Sequence, residues 1–180
     1  MDFREINIAD LSFKPFELIS KDWMLITSGD AQGFNTMTAS WGGLGVLWHK
    51  NVATVYIRPQ RYTYEFVEKN DLLTLSFFGE EHRSALTLCG SKSGRDCDKA
   101  KEAGLTPLFV DGTTAFAEAN LVLVCKKLYF DDLEPKQFLD PEIEKNYAAK
   151  DYHRMYILEI VSCLLYTSQP TTKMKRCQYR

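Results

Sequence analysis

No stretch of this 180-residue chain is apolar for long enough to span a bilayer. Its start, Met1-Asp2-Phe3-Arg4-Glu5, lacks the basic-then-apolar pattern of a secretory signal. A soluble, cytoplasmic protein is therefore expected. Cys-x-x-Cys pairs are missing too: Cys89, Cys97, Cys125, Cys163 and Cys177 are odd in number and irregularly spaced, which argues against a zinc site or a dithiol. Cys89 and Cys97 flank a Gly/Ser-rich loop, but reduced thiols are the expectation in a reducing compartment. No Gly-x-Gly-x-x-Gly opens a helix after a strand, because Gly42-Gly43-Leu44-Gly45 is too compressed, so the Rossmann route to a dinucleotide is closed. A P-loop and a Gly-x-Ser-x-Gly elbow are absent, and His49, His82 and His153 lie far apart, so metal hydrolysis and acyl transfer are poor fits. The net charge of −2 gives no field for nucleic acid or an anionic membrane, so an anionic ligand must be held by a local basic cluster.

Acidic residues are also missing after Glu159, while Lys173, Lys175, Arg176 and Arg180 accumulate. This tail is expected to be disordered. Cys163 to Ser168 reads like the translation of a transposon adaptor used in preparing sequencing libraries, so one domain over residues 1–162 and a disordered or artefactual tail over 163–180 are expected.

What is present reads as β structure. Asp22 to Ser28 and Phe34 to Trp41, separated by turn signals at Gly29-Asp30 and Gly33, predict an antiparallel pair. Asn51 to Ile57, Leu72 to Phe78, Ala115 to Leu128 and Tyr152 to Val161 complete six predicted strands. Short helices are expected over Tyr62 to Lys69, over Glu80 to Leu88, and from Ser93 or Asp96 to Ala103, where Gly104 ends the last. Six strands with few helices suit an antiparallel barrel better than a parallel sheet. Glu134 to Lys150, with two prolines and mixed charges, reads as a long surface excursion, a kind of segment that is often functional or interfacial.

Three elements suit a phosphorylated, ring-bearing ligand. Arg58-Pro59-Gln60-Arg61-Tyr62-Thr63 places two guanidiniums and a hydroxyl at a strand-to-helix turn, where free N–H groups can receive a phosphate. Ser91-Lys92-Ser93-Gly94-Arg95-Asp96 combines small residues, two cations and a following helix. In Asn35-Thr36-Met37-Thr38-Ala39-Ser40-Trp41, the hydroxyls of Thr36, Thr38 and Ser40 share one face and, with main-chain groups, can match a polar planar ring that Trp41 shields. A solvated turn, a helix-capping loop and plain β propensity account for each alone. Their coincidence in so small a domain favours the ligand. His153, at the start of the last strand, is either structural or in contact with phosphate or an incoming donor.

Together with Cys89-Gly90 and Tyr152-His153-Arg154-Met155-Tyr156, these segments resemble the flavin reductase-like proteins with an FMN-binding split barrel, flavoredoxin among them, over roughly Phe13 to Val161. The resemblance implies a mainly β, six-stranded antiparallel Greek-key split barrel, a homodimer, and FMN near its interface. Asn35, Thr36, Met37, Thr38, Ala39, Ser40 and Trp41 would line the ring; Arg58, Arg61, Thr63, Ser91, Lys92, Ser93, Gly94 and Arg95 would surround ribityl and phosphate. The expected activity is flavin reduction by NADH or NADPH, without a protein acid or base. A flavoredoxin-like carrier with a redox protein partner, or a flavin-binding module without turnover, is the alternative. Leu158 stands where the family pattern calls for a small residue.

Overall fold

The computed structural model describes residues 3–166. Among the described residues ten strands form in place of the six expected: β1 (Phe3–Glu5), β2 (Met24–Asp30), β3 (Gly33–Ala39), β4 (Gly42–Leu47), β5 (Lys50–Ile57), β6 (Leu72–Phe77), β7 (Pro107–Val110), β8 (Thr113–Phe116), β9 (Leu121–Asp132) and β10 (Arg154–Tyr166). The helices are short: α1 (Pro15–Glu17), α2 (Tyr62–Lys69), α3 (Arg83–Ser91) and α4 (Lys99–Glu102). The fold is mainly β and antiparallel, as the sequence pattern indicates.

Seven strands run in the order β3-β2-β6-β9-β10-β5-β4, with β1 added alongside β10. The two end strands, β3 and β4, are consecutive in the chain and separated only by Ser40 and Trp41. A sheet whose opposite edges are joined by two residues must curl until they meet. The barrel is thus closed by the chain at Ser40-Trp41 and split in its hydrogen bonding there. Gly42, the first residue past this corner, admits no side chain, because a Cβ would lie 2.8 Å from the Thr54 carbonyl oxygen.

Each sheet face buries its own core. The barrel interior takes Met24, Ile26, Met37, Val55, Leu123 and Tyr156. The outer face takes Leu25, Val122 and Val124 against Leu86 of α3 and Phe116 of β8. That is why Leu121-Val122-Leu123-Val124 is apolar without alternation: β9 is buried on both sides.

The extra strands have local causes. β4 is rich in glycine and so carries the composition of a turn, yet it pairs with β5 from Gly42 to Leu47 as an edge strand. The predicted strand Ala115 to Leu128 breaks after Phe116, where Ala119 N–H donates to the Phe116 carbonyl and Asn120 N–H to that of Phe77. The third helix starts later than expected, with Asp98 as its cap. β10 continues through Cys163–Tyr166, pairing with β9 and with β1, so the disorder expected from Cys163 does not begin there. The rest of that tail, 167–180, lies outside the described residues. Leu158 is fully buried in the barrel core, directly after an irregularity in the β9 pairing between Ile157 and Leu158. Cys89, Cys97, Cys125 and Cys163 are free thiols, and Cys177 lies outside the described residues. Among the described residues no helix is long and apolar enough to cross a membrane, and no cluster of His, Cys, Asp or Glu is placed to hold a metal ion.

Candidate functional site

The corner that closes the barrel also opens a cavity of about 220 Å³. Met37, Thr38, Ala39, Ser40 and Trp41 bring the end of β3 to it, and β5 contributes Tyr56, with Arg58 just beyond the strand. Arg61 enters from the turn before α2, Gly90 from α3, and His153 from the residue preceding β10. A second cavity, about 660 Å³, shares Ser40, Trp41 and Tyr56 with the first and extends under α1, where Phe16 and Ile19 form a wall.

The hydroxyl ladder proposed for the ring does not face a ligand as expected. Thr36 Oγ1 sits 2.8 Å from Thr27 Oγ1 and donates to the Ile26 carbonyl at 3.3 Å, while Thr38 Oγ1 donates to the Leu86 carbonyl. Both hydroxyls fasten β3, to β2 and to α3 respectively, because a buried hydroxyl must find a partner. Ser40 alone of the three makes no side-chain hydrogen bond among the described residues, and with Trp41 it lines both cavities. Asn35 and Thr63 are buried and bonded to each other, Asn35 Nδ2 donating to Thr63 Oγ1 at 2.7 Å.

The cations divide. Arg58 is already held by the excursion: its guanidinium donates to Asp151 at 2.6 Å and to the Asn146 carbonyl at 2.8 Å, and lies over the Tyr147 ring. That guanidinium keeps the Asp151 carboxyl below its ordinary pKa. Arg61 makes one bond, to the Gly90 carbonyl at 2.9 Å, and leaves its other N–H groups free among the described residues. Burial, and then the like charge of Arg58, lower its pKa.

The loop after α3 stands apart from the smaller cavity. Ser91 Oγ donates back to the Thr87 carbonyl, Lys92 pairs with Glu102 at 2.6 Å, and the Ser93 hydroxyl accepts from Arg95 N–H. Arg95 pairs with Glu65 and covers Tyr62. Gly94 is pressed onto Asn35 and Tyr62, and borders a third cavity of about 240 Å³ with Asn35, Thr36 and Lys99. Sequence spacing brought Ser91 to Arg95 near β3, but with their charges met by carboxylates.

His153 is buried, with Nδ1 2.9 Å from the Tyr147 hydroxyl and its ring tilted against Trp41 at 5.3 Å. Burial, reinforced by Arg58, depresses its pKa to about 4, so the imidazole is neutral at pH 7. Lys99 is a more unusual group: it is 5% exposed, donates to the Thr36 and Cys89 carbonyls at 2.8 and 2.9 Å, and has no carboxylate partner among the described residues. Desolvation, with Arg61 adding to it, lowers its pKa to about 8. Tyr56, Tyr147, Asp151 and Lys99 were not named as site residues from the sequence, and Gly90 entered only within a segment that carries the family resemblance. Tyr56 had a signal, since it lies two residues before Arg58 and so on the same side of the strand. Tyr147 and Lys99 had none.

Residues 16–174 match the model of the flavin reductase like domain. The chain belongs to that family. No curated protein matches it. Among solved structures, this flavin reductase-like chain is similar to an FMN-binding domain of a flavin reductases-like enzyme from Shewanella baltica OS155, at 19% identity and TM-score 0.64, covering 91% of this chain and 77% of that one. Flavoredoxin of Desulfovibrio vulgaris (Miyazaki F) gives 20% identity and TM-score 0.65, with 88% and 74% covered. An NADH:FAD oxidoreductase of Streptomyces globisporus C-1027, solved with NAD and FAD fragments, gives 12% identity and TM-score 0.61, with 83% and 77% covered. At such identities these likenesses establish the split-barrel fold.

Proposed function

We propose that this family member is a cytoplasmic FMN-dependent oxidoreductase that takes hydride from NADH or NADPH. The observation that carries the reading is the junction of two unlike cavities at Ser40, Trp41 and Tyr56: a small one lined by Arg58 and Arg61, and a larger one with aromatic walls. FMN has the matching polarity, a planar apolar ring on a polar chain that ends in a phosphate. The protein side fits, because among the described residues Arg61 has unused donors and Lys99 is a buried cation with no carboxylate beside it. When bound, FMN would supply the redox chemistry by exchanging two electrons with the dihydronicotinamide.

The remaining work belongs to the chain. Arg61 would hold the phosphate, with Arg58 exchanging part of its bond to Asp151 for it. The carbonyls of Thr36 and Cys89 hold the Lys99 ammonium at β3, where its charge favours an anionic ligand. The backbone of Met37 to Trp41, fixed by the two threonine hydroxyls, offers preformed donors and acceptors to a ring edge. Neutral His153, pinned by Tyr147, supports Trp41 without adding charge. Asn35, Thr63 and the loop Ser91, Lys92, Ser93, Gly94 and Arg95 line neither of the two cavities and would support the site only indirectly, by bracing β3 and the start of α2.

We further propose a homodimer. Val46, Trp48 and Phe130 are each more than half exposed, and Trp48 packs on Tyr129, which leaves apolar surface uncovered on β4, on the β4–β5 turn and on β9.

The test starts from purified chain with added FMN. We expect bound FMN absorbance to bleach on anaerobic addition of NADH or NADPH. Bleaching by dithionite alone would point to a flavoredoxin-like carrier, and no FMN uptake at micromolar concentration would refute the reading. Arg61→Ala is expected to weaken FMN by about 1.5–3 kcal/mol and riboflavin by much less. Equal losses would place the phosphate elsewhere.

A further inference from the structure

The excursion between β9 and β10 is held to the barrel at few points. From Glu134 to Tyr152 only Tyr147 is buried, and Leu139 is almost wholly exposed. Among the described residues, the hydrogen bonds that tie this segment to the rest of the chain come from Arg58 and Gln60, with one more to His153. Arg58 carries most of the hold: Nη1 donates to Asp151 Oδ2 at 2.6 Å, Nη2 donates to the Asn146 carbonyl at 2.8 Å, and the guanidinium lies over the Tyr147 ring. Gln60 Nε2 donates to the same Asp151 oxygen. The other oxygen, Oδ1, is buried and has no partner among the described residues. Arg58 also lines the cationic cavity with Arg61. A phosphate there needs the N–H groups that Asp151 and Asn146 now occupy. Without Arg58 the carboxylate, with 15% of its side-chain surface exposed, would be a largely buried charge with one neutral donor, and it escapes that cost by moving into water.

We propose that Asp151 is an internal competitor for the ligand's phosphate: the excursion closes on Arg58 in the flavin-free chain, and a phosphorylated flavin displaces it. The proposal rests on the FMN reading above. Coupling between two such events is reciprocal, so removing the Asp151 charge tightens FMN, and FMN loosens the excursion by the same factor. Riboflavin has the ring without the anion and does neither. Tyr147 also walls the larger cavity and holds His153, so a release at the phosphate end reaches the ring end through that one side chain.

Equilibrium dialysis of the flavin-free chain and its variants against FMN and riboflavin, with amide exchange in parallel, tests this. Asp151→Asn should bind FMN about three- to tenfold more tightly than the unsubstituted chain and riboflavin within about twofold of it. In an Arg58→Ala background the same substitution should leave FMN affinity within about twofold. Saturating FMN should speed exchange of the Tyr147 and Lys150 amides, both bonded within the excursion, by a like factor, and riboflavin should not. FMN affinity that is unchanged or weaker in Asp151→Asn, or an equal gain with Arg58 absent, would overturn the proposal. So would riboflavin loosening the excursion as much as FMN does. Arg58→Ala probes the hold with no flavin present: the two amides should exchange faster in it, and unchanged exchange would refute the competition while leaving the FMN reading intact. If the unsubstituted chain takes up no FMN, that reading falls and the competition falls with it.

Discussion

His153 is the residue whose protonation the fold resists most directly. It is 8% exposed, faces Arg58, and is bonded through Nδ1 to Tyr147. Its pKa of about 4 lies below the unfolded value near 6.5, so between these pH values the unfolded chain binds the extra proton and stability rises with pH. The contribution is complete above about pH 6.5 and is lost as the pH falls toward 4, by about 2–3 kcal/mol in all. Urea unfolding of the flavin-free chain should therefore show a clear drop in stability from pH 7 to pH 4.5, and His153→Gln should flatten it. A drop of the same size in the variant would assign the effect to other groups. Asp132 and Asp151, held low by Arg154 and Arg58, lose their contribution only at more acidic pH, so they do not blur this window.

At the scale of elements, what the sequence made legible was what periodicity encodes. Tyr62 to Lys69 is a helix over the predicted residues, because Thr63 and Val67 repeat at helical spacing and are buried. β5 and β6 alternate, and their bounds fall within a residue of those predicted. β4 was missed because three glycines carry no side-chain pattern, and β1 because three residues cannot show a period. In the site, Arg58, Arg61, Ser40, Trp41 and His153 were recognisable from their residue types, but the partners of Arg58 lie some ninety residues further on, in an excursion without periodicity. The end of β10 gives this scale its own prediction. Cys163 is buried, and Phe3 to Glu5 pair only with Leu164 to Tyr166 among the described residues. A chain ending at Ser162 should keep its barrel but lose about 2–4 kcal/mol from the removed apolar burial. Amide exchange should speed up at Leu121 to Val124, which face that end of β10. Unchanged exchange there would mean that Cys163 to Tyr166 contribute nothing to the sheet.

For the molecule as a whole, the unresolved balance is between a closed barrel and an apolar exterior. Most of the core is sealed within two clusters, yet Val46 at 74%, Trp48 at 54% and Phe130 at 53% remain exposed. Trp48 and His49 form the β4–β5 turn with positive φ (52° and 60°), a conformation that non-glycine side chains adopt at some strain. The turn therefore holds Trp48 out from the barrel, against the Tyr129 ring. A specific dimer needs on the order of 800 Å² buried on each copy, with aromatic anchors near the centre. Trp48 is the natural anchor. Trp48→Glu would place a charge in the middle of such a contact, where its desolvation opposes assembly, while leaving the barrel core untouched. Sedimentation equilibrium should find a dimer for the unsubstituted chain and a monomer, or a dimer at least about a hundredfold weaker, for the variant, with thermal unfolding of the monomer still cooperative. Two dimers of equal strength would show that Trp48 lies outside the interface, and a monomer in both cases would remove the homodimer from the account.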